Sequence, residues 1–486
     1  MRGTARRIGR IAGGVGLVVG LVALVIGGVA SALALRQTSR QVSPAAAAIA
    51  GSEAAAALDQ AAMVEALAAM LRAQTIAGEG PRGEPIRQIH ALLRVSFPCV
   101  HRRLEREVIG DYDILYTWRG QDEAAAPVLV TASMLVAPAG EKGWQFPPFG
   151  GVVAGGAVWG RGAAGAKGRL VALMGGAEAL CLAGYTPQRT LMVAIRGRDE
   201  GEGVAAALVR REVLAAAVIG DGPPIRAGLG PGLERGLAIV TVAEKGAVEL
   251  VLSARREGGA VEAVAAGVGA IARLEEAPEI EGLLTEMIGW IAPELPWAQR
   301  IVLANPWLPI LFKRRAVALV GELGGREVMM TSRATVAISS AQGAGGRAPG
   351  AAEARVSVKI GLGSTVEDEI ARCSAVVAGL GLAVAVDHEA AAEPRALADP
   401  QGQGFLWAAE GVRAAIPGAI VAPGLASGPT NNRVYLGVFG DIVGVGPLVL
   451  DAAEAAAVDG VDERVPIAAL MQGSAVMAGI LRAAGG

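Results

Sequence analysis

The side chains in this sequence best equipped for chemistry are acidic. "IRGRDEGEG" at Ile195–Gly203 and "IGDG" at Ile219–Gly222 each close a short apolar run with carboxylates, Asp199 and Glu200 in the first and Asp221 in the second. Carboxylates at strand ends suit two tasks, holding a metal ion and moving a proton. All-oxygen sets favour Mg²⁺ or Ca²⁺, whereas zinc sites usually draw on imidazole or thiolate as well. The same residues beside glycines also fit solvated turns, and Asp221 before Gly-Pro-Pro fits an Asx turn. Imidazoles do not join them. His90 lies in the helical "RQIHALL", His101 follows "FPCV" and His388 ends a later strand, all positions suited to surface or half-buried histidines. A Gly-x-Ser-x-Gly elbow is absent, which leaves a serine hydrolase unsupported. "GLGPGLERG" lacks the strand–turn–helix setting of a phosphate loop.

A second stretch has the frame of a site without its contents. "VWGRGAAGAKG" at Val158–Gly168 pairs glycines around Arg161, a backbone that side chains would resist. The positions after it, Ala163 to Ala166, carry no acid, base or ligand. Arg161 is expected to hold the loop through backbone carbonyls, and Lys167 to face solvent.

These residues sit in a chain of 486 residues, too long for one core. Lys plus Arg number 44 against 46 Asp plus Glu, so no nucleic-acid footprint is visible. Cys99, Cys181 and Cys373 are far apart and odd in number, which predicts ordinary buried thiols rather than a disulfide framework. Arg2, Arg6, Arg7 and Arg10 precede an uncharged run, Ile11–Leu35, longer than the ~20 residues that span a bilayer. The basic flank predicts an inner-membrane anchor over residues 1–35, with everything after it on the extracytoplasmic side. The competing reading is a cleaved signal peptide. A polar, Ala-rich tether follows over 36–53 and leads into a helix at about 54–74.

From there strands and helices alternate. "DILYTWRG", "APVLVTASMLV", "TLMVAIRG" and "AAVIGDG" read as buried parallel strands, with a helix over 168–183 between them. This predicts an α/β domain over 54–245, covered on both faces. A strand–helix–strand–strand–helix–strand order over 246–390 predicts a ferredoxin-like βαββαβ domain. An apolar helical insertion at 281–317 with a basic end interrupts it, expected to pack on that domain or on a partner's copy of it, the alternative being an amphipathic segment on the membrane surface. The α/β pattern resumes over 391–486.

An α/β domain interrupted in this way, with "VIGDYDILYTWRG", "GWQFPPFGG", "VWGRGAAGAKG" and "VAEKGAVEL" in that order, resembles the M20 family of zinc metallopeptidases. The likeness is to its membrane-anchored carboxypeptidase and N-acyl-amino-acid hydrolase branch. It implies a three-layer zinc-peptidase-like α/β domain with the ferredoxin-like domain as lid and dimerisation surface, and two zinc ions between the strand-end loops. Carried over residue by residue, the family's His-x-Asp pair falls on Ala132 and Met134. The bridging carboxylate falls on Gly165 and the closing histidine on Asp459. The general base falls on Asp199, a shortened arm, and two ligand positions on Glu200 and Asp221. The family's Thr-Asp-Ser-Arg becomes Thr430-Asn431-Asn432-Arg433, which leaves Arg433 as a substrate-binding candidate. The lid's substrate-binding Asn falls on Gly346, and its histidine has no counterpart.

Loss is concentrated where metal and substrate would sit. The expectation is a membrane-anchored, catalytically inactive homologue without a cofactor. It would act as a binding or regulatory module that pairs through its lid with itself or with an active relative. The alternative is a zinc-dependent hydrolase of peptides or N-acyl amino acids whose remodelled site uses Asp199, Glu200, Asp221 and Asp459.

Overall fold

The computed structural model describes residues 31–486 apart from 33, 79–82, 141, 199–202, 231, 257–258, 275–281, 306–335, 343–350 and 437–438. Almost all of the expected anchor, Asp199, Glu200 and Gly346 therefore lie outside the described residues.

Short apolar runs, buried at the centre and exposed at the edge strand Glu105–Ile109, make the central sheet of eleven strands. Its middle is parallel: Val128–Ser133 pairs Leu191–Arg196 on one side and Ala217–Gly220 on the other, and Ile442–Gly444 pairs Ala217–Gly220. Asp113–Trp118, read from sequence as another parallel strand, runs antiparallel to Leu191–Arg196 and carries the antiparallel Glu105–Ile109 at the edge. Side chains alternate between two cores, as a period of two requires. Val128 and Val130 join the larger core, and Leu129 joins a smaller one with Leu208, Tyr435 and Phe439. Helices on both faces complete three layers.

The larger core is organised by helix Ile467–Gly485, which packs against Ala46–Ala54, Ala166–Leu182 and Gln403–Ala415. That helix is long and apolar enough to cross a bilayer, yet it is enclosed by its neighbours as the core helix of the domain. Glycines let these helices approach. A Cβ on Gly176 would lie 2.6 Å from Ala478 N, and one on Gly411 2.5 Å from Ile480 N.

Gly246–Arg255, Ala260–Ala272, Val336–Gln342, Ala351–Ile360, Val366–Val377 and Ala383–Ala392 form the expected ferredoxin-like lid. Its sheet runs in the order Val336–Gln342, Ala351–Ile360, Gly246–Arg255, Ala383–Ala392, with the first and third strands of the chain order at the centre, and Leu250, Val264, Val356 and Cys373 fill its own core. Thr365 and Asp368 close a reciprocal capping box at the start of the second lid helix.

Four further sequence expectations need correction. The helix expected at about 54–74 is two helices, Ala46–Ala54 and Gln60–Arg72, with Asp59 capping the second through Ala61 N–H. The segment 36–53 is docked rather than a free tether. Gln41 donates to the carbonyls of Trp290 and Val421 and accepts from Val421 N–H. The described part of the insertion, including Gly282–Ile291, packs on strand Ile420–Ala426 of the main sheet and not on the lid, with Trp290 edge-on to Phe405. Cys99 and Cys181 are joined in a disulfide across 82 residues. The pairing follows from helix Ala166–Leu182 lying against helix Pro98–Arg103, whose first N–H groups, on Cys99 and Val100, are capped by Glu178. Only the fold brings these cysteines together, which is why spacing did not reveal them.

Closing a loop of this length stabilises by about 4.5 kcal/mol in the chain-entropy account. Replacing both Cys99 and Cys181 by Ala is expected to remove about 2–4 kcal/mol from unfolding stability in denaturant titration. Thiol titration of the unreduced, denatured chain should detect Cys373 alone; reactivity at all three cysteines would contradict the pairing.

Candidate functional site

The carboxyl ends of the parallel strands deliver Ser133, Arg196 and Asp221 to one rim of the sheet. Such a rim is where ligands bind in sheets of this type. Two adjoining cavities of about 380 and 500 Å³ lie there, and Asp221, Asn431 and Asp459 line both. The second extends beneath the lid to Lys359 and reaches Met287 of the insertion.

The loop "GRGAAG" forms one wall, and a buried carboxylate builds it. Glu463 is fully buried and accepts N–H groups from Gly162, Ala164 and Gly165 at 2.8, 3.1 and 2.9 Å. Arg161 completes the pair at 3.0 Å and donates also to the carbonyls of Gly460 and Pro138. The expected role of Arg161 in holding the loop is thereby seen, with Glu463 as its main partner. Burial pushes the Glu463 carboxyl above its ordinary range, and the N–H donors and Arg161 oppose that. Lys167, expected at the surface, is wholly buried, and its Nζ donates to Ala73 O at 2.5 Å. Desolvation lowers its pKa to about 7.

Asp221 is held from two directions. Asn432 accepts its N–H at 3.0 Å and donates to its carbonyl at 2.8 Å. Arg169 reaches its carboxylate at 3.2 Å from Nε to Oδ1. Arg169 is 3% exposed, and it also donates to the carbonyls of Thr131 and Val445. A fixed cation thus sits on the described carboxylate closest to the role of a ligand.

The other positions carried over from sequence are built into the fold. Ala132 and Met134 are buried in the main core. A Cβ on Gly165 would lie 3.4 Å from Glu463 Oε1 and 3.8 Å from Asp459 Oδ1. An acid placed there would face two carboxylates and need a cation between them. Asp459 adopts a left-handed backbone (φ 55°), which Asp tolerates better than most residues. Burial raises its pKa; Arg161 opposes the shift and the charge of Asp221 adds to it. Arg433 lines neither cavity. It pairs with the buried Glu244 at 2.6 Å and donates to Glu393 O, across the junction between main domain and lid. His90 and His101 lie away from the rim; His90 Nε2 is 3.0 Å from Tyr112 O.

A zinc pair of the kind implied by the sequence resemblance does not fit these residues. Among the described residues, no three His, Cys, Asp or Glu side chains come together to hold a metal ion. Asp221 is instead balanced by a guanidinium, which accepts no proton and binds no metal.

Glu463, Arg169, Asn432 and Lys167 were not singled out by sequence reasoning as site-builders. A signal existed for Arg169: it is one of two charges in the apolar stretch 168–182, and a charge enclosed there needs a partner.

Two outcomes test this geometry. Glu463→Ala should destabilise the chain by about 3–5 kcal/mol, because it strands Arg161 and three N–H groups; a loss under about 1 kcal/mol in denaturant titration would contradict the role. Lys167 binds fewer protons folded than unfolded between pH 7 and about 10.5, so its contribution makes stability rise with pH there. Lys167→Met should flatten that rise between pH 7 and 9.5, and an unchanged slope would place the titration elsewhere.

Comparison with known proteins agrees with this architecture. The model for peptidase family M20/M25/M40 matches residues 134–483. The Bos taurus N-fatty-acyl-amino acid synthase/hydrolase PM20D1 is 30% identical over 402 residues, covering 78% of each chain. The Dictyostelium discoideum probable carboxypeptidase S-like 2 is 26% identical over 400 residues, covering 78% of this chain and 76% of that protein. Among solved structures, human carnosine dipeptidase 1 superposes with a TM-score of 0.62 at 14% identity, over 91% of this chain and 99% of that one. The Sulfolobus solfataricus M20 metallo-carboxypeptidase Sso-CP2 gives 0.59 at 14% identity, over 87% and 99%. At these identities the solved structures establish the fold.

Proposed function

Because the chain belongs to peptidase family M20/M25/M40, we propose that it is a membrane-anchored, catalytically inactive member that binds ligands or partners without hydrolysing them. The observation that carries this reading is the Arg169–Asp221 pair. A hydrolase of this architecture needs a Lewis acid and an activated water at the strand-end rim. Here a guanidinium buried at that rim already neutralises Asp221. It polarises no water and offers no open coordination position. Ala132, Met134 and Gly165 supply apolar surface or nothing where imidazole and carboxylate would be needed.

The basic flank and apolar run of residues 2–35 support the anchor. The Cys99–Cys181 disulfide supports an oxidising, extracytoplasmic setting for the body, since such bonds persist there and are rare in reducing cytosol. The lid is proposed as a pairing surface on the strength of its edge strand Val336–Gln342, which pairs on one side only among the described residues.

The test is turnover. The relatives named as N-fatty-acyl-amino acid synthase/hydrolases make an N-fatty-acyl amino acid the natural probe. Full-length chain in detergent, supplied with zinc, should release free amino acid no faster than buffer does. Hydrolysis abolished by a chelator would overturn the reading and return Asp199, Glu200, Asp221 and Asp459 to a catalytic role.

A further inference from the structure

The smaller rim cavity, about 380 Å³, is lined by two arginines. Arg169 is almost wholly buried, and after its bonds to Thr131 O, Val445 O and Asp221 its Nη2 has no hydrogen-bond partner among the described residues. Arg196 Nε, also buried, likewise has none. Ser133 lines the same cavity, and its Oγ accepts Leu135 N–H at 3.0 Å, which leaves the hydroxyl hydrogen to donate. Buried donors of charged groups are costly to leave without acceptors, so orphans on side chains that line one cavity point to an acceptor there.

From these donors we infer that the cavity is a binding site for a small organic carboxylate, seated where the family architecture leads one to expect metal. Two carboxylates, Asp221 and Asp459, share the cavity wall, and Asp113 acts on Arg196 from outside the lining. A monoanion with two acceptor oxygens can use the Arg169, Arg196 and Ser133 donors. A dianion such as inorganic phosphate would meet repulsion from both aspartates. The remaining walls, Leu135, Val136, Leu448 and Val458, are apolar and suit a short hydrocarbon body. Guanidinium is the group suited to planar, two-oxygen recognition of a carboxylate. The inference rests on the binding-module reading in one respect: the rim must hold no metal that would take the ligand instead.

Sodium hexanoate is the probe, with 1-hexanol and inorganic phosphate as comparisons, against full-length chain in detergent by calorimetric titration with chelator and again with zinc. Saturable hexanoate binding in chelator, absent for hexanol and phosphate and weakened at least tenfold in Arg196→Met and measurably in Ser133→Ala, is the expected result. Arg196→Met is preferred to changes at Arg169, whose loss endangers the fold. Equal binding of hexanol and hexanoate, or hexanoate affinity unchanged in Arg196→Met, would overturn the carboxylate site. No hexanoate binding in either condition, with no zinc bound, would overturn this inference alone. Hexanoate binding that requires zinc would overturn both this inference and the inactive reading.

Discussion

The carboxylate of Glu463 is the contact on which the rim depends. It lies at the bottom of a nest of N–H groups from Gly162, Ala164 and Gly165 and is closed by Arg161, which ties in the backbone at Pro138 and Gly460. Through it the segment after strand Val128–Ser133, the "GRGAAG" loop and the turn before Arg464–Pro466 become one unit. A buried ion pair is weak evidence of net stability, since desolvation offsets much of the attraction. Its value here is geometric, because four separate donors converge on two oxygens. That explains why "VWGRGAAGAKG" keeps its glycines and its arginine: the loop is required by the fold whatever happens at the rim above it.

Above that unit, Asp221 is paired with a buried arginine of the protein itself. In a dinuclear metal site, clustered carboxylates are tolerated because cations lie between them. In this chain the acid is missing at Gly165, core methyl and thioether groups occupy Ala132 and Met134, and a guanidinium rests on Asp221. Each change is understandable given the others. An acid at Gly165 would face Glu463 and Asp459 without compensation, and a bare Asp221 would lack a counter-ion. Arg169 supplies that counter-ion from the first turn of helix Ala166–Leu182, and its remaining donor points to a new use for the cavity.

Much of the architecture was legible because periodicity and order carry it. Short apolar runs bounded by turn residues marked the central strands, though not the antiparallel direction of Asp113–Trp118, and the βαββαβ order marked the lid with its bounding strands at Gly246 and Ala392. Contacts that depend on tertiary proximity were not legible. The Cys99–Cys181 bond joins helices far apart in sequence, Lys167 is buried because Ala73 O waits for it, and the insertion chose Ile420–Ala426 over the lid. At the site, the residues missing from a pattern could be read directly. The residues that build the rim were harder to read: Arg169 carries one signal, a charge within an apolar helical stretch, and Glu463, a glutamate in a turn, carries no local mark of burial.

The central claim is that an internal guanidinium has taken the place of metal at the strand-end rim. Its most direct test is the metal content of the full-length chain, equilibrated with excess zinc, passed through gel filtration and measured by mass spectrometry. The account predicts no retained zinc, at low or at high salt. Stoichiometric zinc that is lost on Asp221→Ala would contradict it.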